Sequence, residues 1–202
     1  MMKIFLLISI LSYHLTFSQI IVSSDYMKIP DTLGFRNNLY KFLIPNKKIK
    51  YWSVFRKEDS SEILLYENKK NNNLYKEKTN APNKGFFNEC LPDRCFTYIV
   101  IESNNICQYI TNEKKLIDFI GYVDNLPEAL LIAKTCDLLF DRKNIAGGAY
   151  KIEKDFIYLY LAKFKNCPVS RESFYVKINR KTGEIEYESK GIYYKTDDCY
   201  TS

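Results

Sequence analysis

In DFIYLYLAKFK, residues 155–165, Ile157, Leu159 and Leu161 alternate with Tyr158, Tyr160 and Ala162. A period of two suits a β-strand with one face in a core and the other half-wet. AYKIEK precedes it as a hairpin partner. SFYVKINRKTGEIEYESKGIYYK follows as a strand, a tight turn at Lys181-Thr182-Gly183, and a further strand or two. Upstream, residues 19–30, NLYKFLI, KIKYWSVFRK and SEILLYE read as short antiparallel strands, a meander over 19–67. Residues 68–89 begin polar and aperiodic, rich in Asn and Lys, and read as a long exposed loop. CFTYIVIES and ICQYIT, joined by Asn104-Asn105, form a hairpin. The chain carries 17 tyrosines, a residue that favours strands and half-wet surfaces.

Two helices interrupt the strands. Thr111 or Asn112 caps the first, which carries Leu116, Ile117, Phe119 and Ile120 and stops at Gly121. Asn125 caps the second, with Pro127 in its first turn. Glu128 stands three residues after the cap, where a carboxylate reaches back to free amides. Ala129, Ala133, Cys136 and Phe140 share one face of that helix, widened by Leu130, Leu131, Leu138 and Leu139, and such a stripe requires a sheet to cover it. The fold class that follows is α+β: antiparallel sheet or sheets with two short helices packed on one face, as a single domain or two small lobes. The last part of it is an α+β domain over residues 90–202.

The first residues bear on chemistry as well as address. Lys3, an apolar run from Ile4 to Leu15, and the small or hydroxylated Thr16 and Ser18 read as a signal peptide over 1–18, with cleavage near Ser18 and Gln19 as the mature start. No stretch approaches the roughly 20 apolar residues of a membrane span, so a secreted or periplasmic location is expected. The one histidine, His14, leaves with the leader. Without an imidazole the mature chain cannot assemble a Ser-His-Asp or Cys-His nucleophile, and His-bearing catalytic zinc sites are excluded as well. No metal and no cofactor are expected. The net charge of +6, or +5 without Lys3, is mild, and together with export it argues against a nucleic-acid partner.

All six cysteines, Cys90, Cys95, Cys107, Cys136, Cys167 and Cys199, lie in the mature chain, and in an oxidising compartment they are disulfide candidates. Their fifteen possible pairings are not separable from sequence. Cys90 and Cys95 flank Leu-Pro-Asp-Arg, a turn that a short bridge would close for roughly 2 kcal/mol; a bridge from Cys167 to Cys199 would contribute roughly 4 and tie down the C-terminus. A redox pair normally has two intervening residues and not four, so a structural bridge is the expectation at Cys90 and Cys95. Cys136 reads as a buried core or bridged cysteine.

LPEALLIAKTCDLLF, a strand pair, and then FYVKINRKTGEIEY resemble the PepSY-type and cystatin-like arrangement, in which a helix lies across a sheet that ends in a Thr-Gly-Glu-Ile hairpin. The resemblance covers residues 125–188. It implies an exported binding or inhibitory module, peptidase-associated and not catalytic.

Four residues stand out as a surface-binding candidate. On a strand, Lys48, Lys50, Trp52 and Arg56 share a face opposite Ile49, Tyr51 and Phe55, and an aromatic among cations can hold an acidic glycan or peptide. GIYYK reads as an edge strand guarded by lysine, and Gly147-Gly148 as a flexible joint. Glu172, Glu184, Glu186 and Glu188 cluster on one hairpin. The expected function is an exported, disulfide-stabilised binding module for an unknown protein or glycan of the envelope or the exterior, without catalytic residues. The alternative is a small histidine-free hydrolase using paired carboxylates.

Overall fold

A computed structural model describes residues 20–34, 38–46, 49–59, 61–69, 82–87, 95–103 and 106–200. The leader expected over 1–18, Lys48 and Cys90 lie outside the described residues. Nine strands and two helices follow in chain order among the described residues: β1 (Met27–Lys28), β2 (Tyr51–Glu58), β3 (Ser61–Glu67), β4 (Cys95–Ser103), β5 (Ile106–Ile110), α1 (Glu113–Ile120), α2 (Leu126–Lys134), β6 (Ala149–Ile152), β7 (Phe156–Asn166), β8 (Val169–Asn179) and β9 (Ile185–Lys195). They form two antiparallel sheets, one of five strands in the order β1-β6-β7-β8-β9 and one of four in the order β3-β2-β4-β5. The fold is mixed α+β and dominated by its sheets. No described helix is long and apolar enough to cross a membrane.

The alternation in β7 works as its sequence demands. Ile157, Leu159 and Leu161 are fully buried, and their register partners Ile178, Val176 and Phe174 on β8 meet them on the same face. This face, Trp52, Val54 and Ile99 of the four-stranded sheet, Leu116, Phe119 and Ile120 of α1 and Leu126 and Ala129 to Ala133 of α2 belong to one core cluster. Two sheets and both helices thus contribute to one core, and the expected packing of the two helices on one sheet face is not confirmed. On the other side of the four-stranded sheet, Phe55, Phe96, Tyr98 and Val100 form a second buried cluster, with Cys107 and Tyr109 packed against it.

Both helices start where their caps require. The Asn112 side chain accepts from the Lys115 N–H at 2.9 Å and that of Asn125 from the Glu128 N–H at 3.1 Å, each satisfying an amide that has no partner inside its helix. Gly121 ends α1 with φ +67°. Helix α2 stops at Lys134, before its apolar stripe does, and Asp137 enters the left-handed region at φ 58°. Cys136, Leu138 and Phe140 are therefore not helical. Cys136 is a half-buried free thiol 3.8 Å from the Thr135 hydroxyl, and not a bridged core cysteine.

The meander expected over 19–67 is not formed. Strand β1 pairs with β6 in one sheet, β2 and β3 belong to the other, and NLYKFLI contains a 3-10 turn at Tyr40–Phe42. Its buried residues, Tyr40 and Leu43, stand three apart, a helical spacing that so short an apolar run conceals. The exposed loop expected over 68–89 ends in a buried pair, Phe86 and Phe87, with Phe86 exchanging backbone hydrogen bonds of 2.8 and 2.7 Å with Thr97 on β4.

Candidate functional site

The surface candidate on β2 is corrected by burial. Trp52 is 3% exposed, packed between the rings of Tyr66 and Phe119 at 5.1 and 5.5 Å. Arg56 is also 3% exposed, donating to Cys95 Sγ at 3.1 Å and ion-paired with Glu58. Only Lys50, laid over the Tyr51 ring, remains at the surface among the described members of that set. The physical reason is that β2 is an interior strand covered on both faces. Apolar residues at both parities, Trp52 and Val54 against Tyr51 and Phe55, were the signal for this. The fluorescence of Trp52, the only tryptophan, is expected to be blue-shifted and shielded from iodide until the chain unfolds. Iodide quenching of the native protein as strong as that of the unfolded chain would contradict this packing.

The carboxylates near the last hairpin do not converge. Glu186 pairs with Lys177 at 3.4 Å, Glu188 with Lys190, Glu184 with the Thr182 hydroxyl at 3.1 Å, and Glu172 accepts from Ser189. On the outer face of the five-stranded sheet, Tyr26, Tyr158, Tyr160 and Tyr175 interlock ring to ring, and Lys190 lies over Tyr175. All four rings are half-buried, so this face covers itself and offers no open stacking platform.

A site does form at the segment after α2. Backbone pairing of Leu139 with Ala162 on β7, at 3.0 and 2.7 Å, starts it. Asp141 then turns inward, 4% exposed. Its carboxylate accepts from the Lys143 N–H at 2.8 Å, from the Tyr193 hydroxyl at 2.9 Å and from Arg171 Nη1 at 2.8 Å. Burial alone would raise the Asp141 pKa, but these three donors outweigh it and hold the carboxyl below its usual range. Burial and the Asp141 carboxylate together push the Tyr193 phenol up. At neutral pH the group is a fixed anion facing a neutral phenol, suited to holding Arg171 in place and unsuited to exchanging protons.

Arg171 is clamped on its other sides as well. Its guanidinium lies 5.6 Å from the Phe164 ring and 4.9 Å from that of Tyr194, a stacked cation–π arrangement. Only Nη1 is hydrogen-bonded among the described residues. Arg171 lines a cleft of about 390 Å³ with Arg142, Lys143 and Phe164. Arg142 and Lys143 are exposed, and neither forms an ion pair among the described residues. A second groove of about 210 Å³ adjoins it, walled by Leu33, Leu39, Leu130 and Leu138 together with Lys134. Leu139, Phe140 and Arg142 line both. Among the described residues, Asp141 is the one carboxylate lining either space, so no pair of carboxylates is available there for acid–base hydrolysis.

Two further segments support this site. GIYYK is the edge strand it was expected to be, yet Tyr193 and Tyr194 fasten Asp141 and Arg171. Gly147-Gly148 is no flexible joint: a Cβ at Gly148 would stand 2.2 Å from the Asp141 carbonyl oxygen, so the close approach of backbone requires glycine. The cleft-lining residues of FDRKN, 140–144, were not legible in the sequence, because a short cationic stretch after a helix carries no motif.

Of the disulfide candidates, Cys167 and Cys199 are bonded to each other across 32 positions, and Cys95 is disulfide-bonded as well. No family model matches the chain, and neither a curated protein nor a solved structure was found that matches it.

Proposed function

We propose that the protein is an exported, disulfide-stabilised, non-catalytic binding module that captures an anionic segment of a partner protein in the cleft of Arg142, Lys143 and Arg171. The observation that carries this reading is the clamped Arg171: a guanidinium fixed by Asp141, Phe164 and Tyr194, with donors left over beside a largely leucine-lined groove. Preorganised arginine forks suit carboxylates, because little side-chain freedom is lost when the ligand arrives. Export agrees with the disulfide, since such bonds persist in oxidising compartments. The resemblance of residues 125–188 to PepSY-type modules points the same way, toward a peptidase or another envelope protein as the partner, and the two helices would serve as the support behind that surface.

The reading is tested by capture under non-reducing conditions from envelope and culture fractions, with the wild type beside Arg142→Glu and Lys143→Glu. One stoichiometric partner held by the wild type and lost by both variants is the expected result. Equal recovery by all three proteins would place the binding surface elsewhere.

A further inference from the structure

Two spaces that share a wall ask for a ligand with two kinds of group close together. Leu139, Phe140 and Arg142 form that wall, with Arg142 at its edge of positive charge. Gly34 leaves room for the aliphatic stem of Arg142, since a Cβ there would fall 2.8 Å from Arg142 Cδ. Arg171 and Lys143 line the cleft only; Leu33, Leu39, Leu130 and Lys134 line the groove only. The cationic side holds three positive groups against the single carboxylate of Asp141, which leaves a positive balance for an incoming anion.

We infer that the cleft pair binds the C-terminal end of a polypeptide whose last residue is apolar, its α-carboxylate on Arg171 and Arg142 and its side chain in the groove. This deepens the binding-module reading and rests on it. A chain end places a carboxylate and a side chain on one Cα, which suits two adjoining spaces, one cationic and one lined largely by leucines. Capture of a terminal carboxylate is also a recurrent mode of peptide recognition.

The test uses the full mature chain with its disulfides intact and hexapeptides dye-labelled at the N-terminus, followed by fluorescence anisotropy. One peptide ends in leucine with a free carboxylate. The others end in leucine amide, in lysine, or in leucine followed by three further alanines, and octanoate and inorganic phosphate serve as competitors. The free-acid leucine peptide is expected to bind at least about tenfold more tightly than the other three, the loss a charge-assisted pair implies. Arg142→Glu and Lys143→Glu, both at exposed positions and checked for native circular dichroism, are each expected to weaken it by a similar factor. Equal binding of acid and amide that both variants abolish would overturn the chain-end inference and leave the binding module standing. The same holds if octanoate or phosphate competes as well as the peptide does. If no peptide binds and both variants still capture the partner, the inference and the reading beneath it both fall.

Discussion

Replacing Glu128 by alanine is expected to lower the free energy of unfolding by about 3–5 kcal/mol, a fall of roughly 10 °C in melting temperature. Glu128 is fully buried at the start of α2. Its two carboxylate oxygens accept from two backbone amides, Ile44 N–H and Asp124 N–H, each at 2.7 Å. The first contact joins segments 84 positions apart and fixes the turn around Tyr40–Phe42 against the helices, helped by Asn125 Nδ2 donating to the Phe42 carbonyl at 2.9 Å. Alanine would leave both amides buried without acceptors, which is costlier than the loss of the bonds themselves. A melting temperature within a degree or two of the wild type would show that the contact contributes little.

The same carboxyl makes stability depend on pH. Burial pushes its pKa up to about 7, although the amides of Ile44 and Asp124 pull the other way. An acid whose pKa is raised on folding is held protonated by the native state where the unfolded chain has already released the proton. Its contribution is full below the unfolded value of 4.5 and is lost as pH rises toward 7, about 3 kcal/mol in all. The alanine penalty should therefore be larger at pH 5 than at pH 8. Glu128→Gln keeps one acceptor, so its loss should be smaller, and it should flatten the wild-type decline over that interval. Melts of the three proteins at the two pH values check both signs, and an unchanged slope in Glu128→Gln would assign the pH dependence to other groups.

Local chemistry was readable from the chain, and tertiary placement was not. Asn112 and Asn125 were legible as caps because capping depends on residues a few positions away, and β7 was legible because its alternation spans more than one turn of any helix. That Glu128 reaches back to an amide at the start of its helix was legible for the same reason, but its bond to Ile44 was not, since nothing near residue 128 names a partner 84 positions away. Trp52 failed as a surface residue because alternation separates the two faces of a strand without saying which of them is wet. The length of α2 failed because the apolar stripe continues beyond Lys134 into residues that are buried by other means. The candidate site combines FDRKN, an arginine on β8 and two tyrosines on β9, and no spacing rule joins three such segments before the sheet brings them together.

Removal of the Cys167–Cys199 bridge by the double substitution Cys167→Ser and Cys199→Ser is expected to cost about 4 kcal/mol, the loop-entropy value for a closure across 32 positions. The closed loop contains β8 and β9, so unbridging it enlarges the freedom of the unfolded chain over the very hairpin that carries Arg171, Tyr193 and Tyr194. In the native state the tail folds back over the β7–β8 turn, with Val169 N–H donating to the Asp198 carbonyl at 2.8 Å and Tyr200 N–H to that of Asn166 at 2.9 Å. Tyr194 is the register partner of Arg171, so the bridge closes the end of the hairpin from which the arginine is clamped. The bridged and unbridged proteins should therefore differ twice, by roughly 10 °C in melting temperature and by weaker capture of the free-acid peptide. A fall in stability with undiminished peptide binding would show that Asp141 and Phe164 suffice to hold Arg171. If stability is unchanged as well, the bridge merely decorates a tail that the three backbone hydrogen bonds between residues 166–169 and 196–200 already secure.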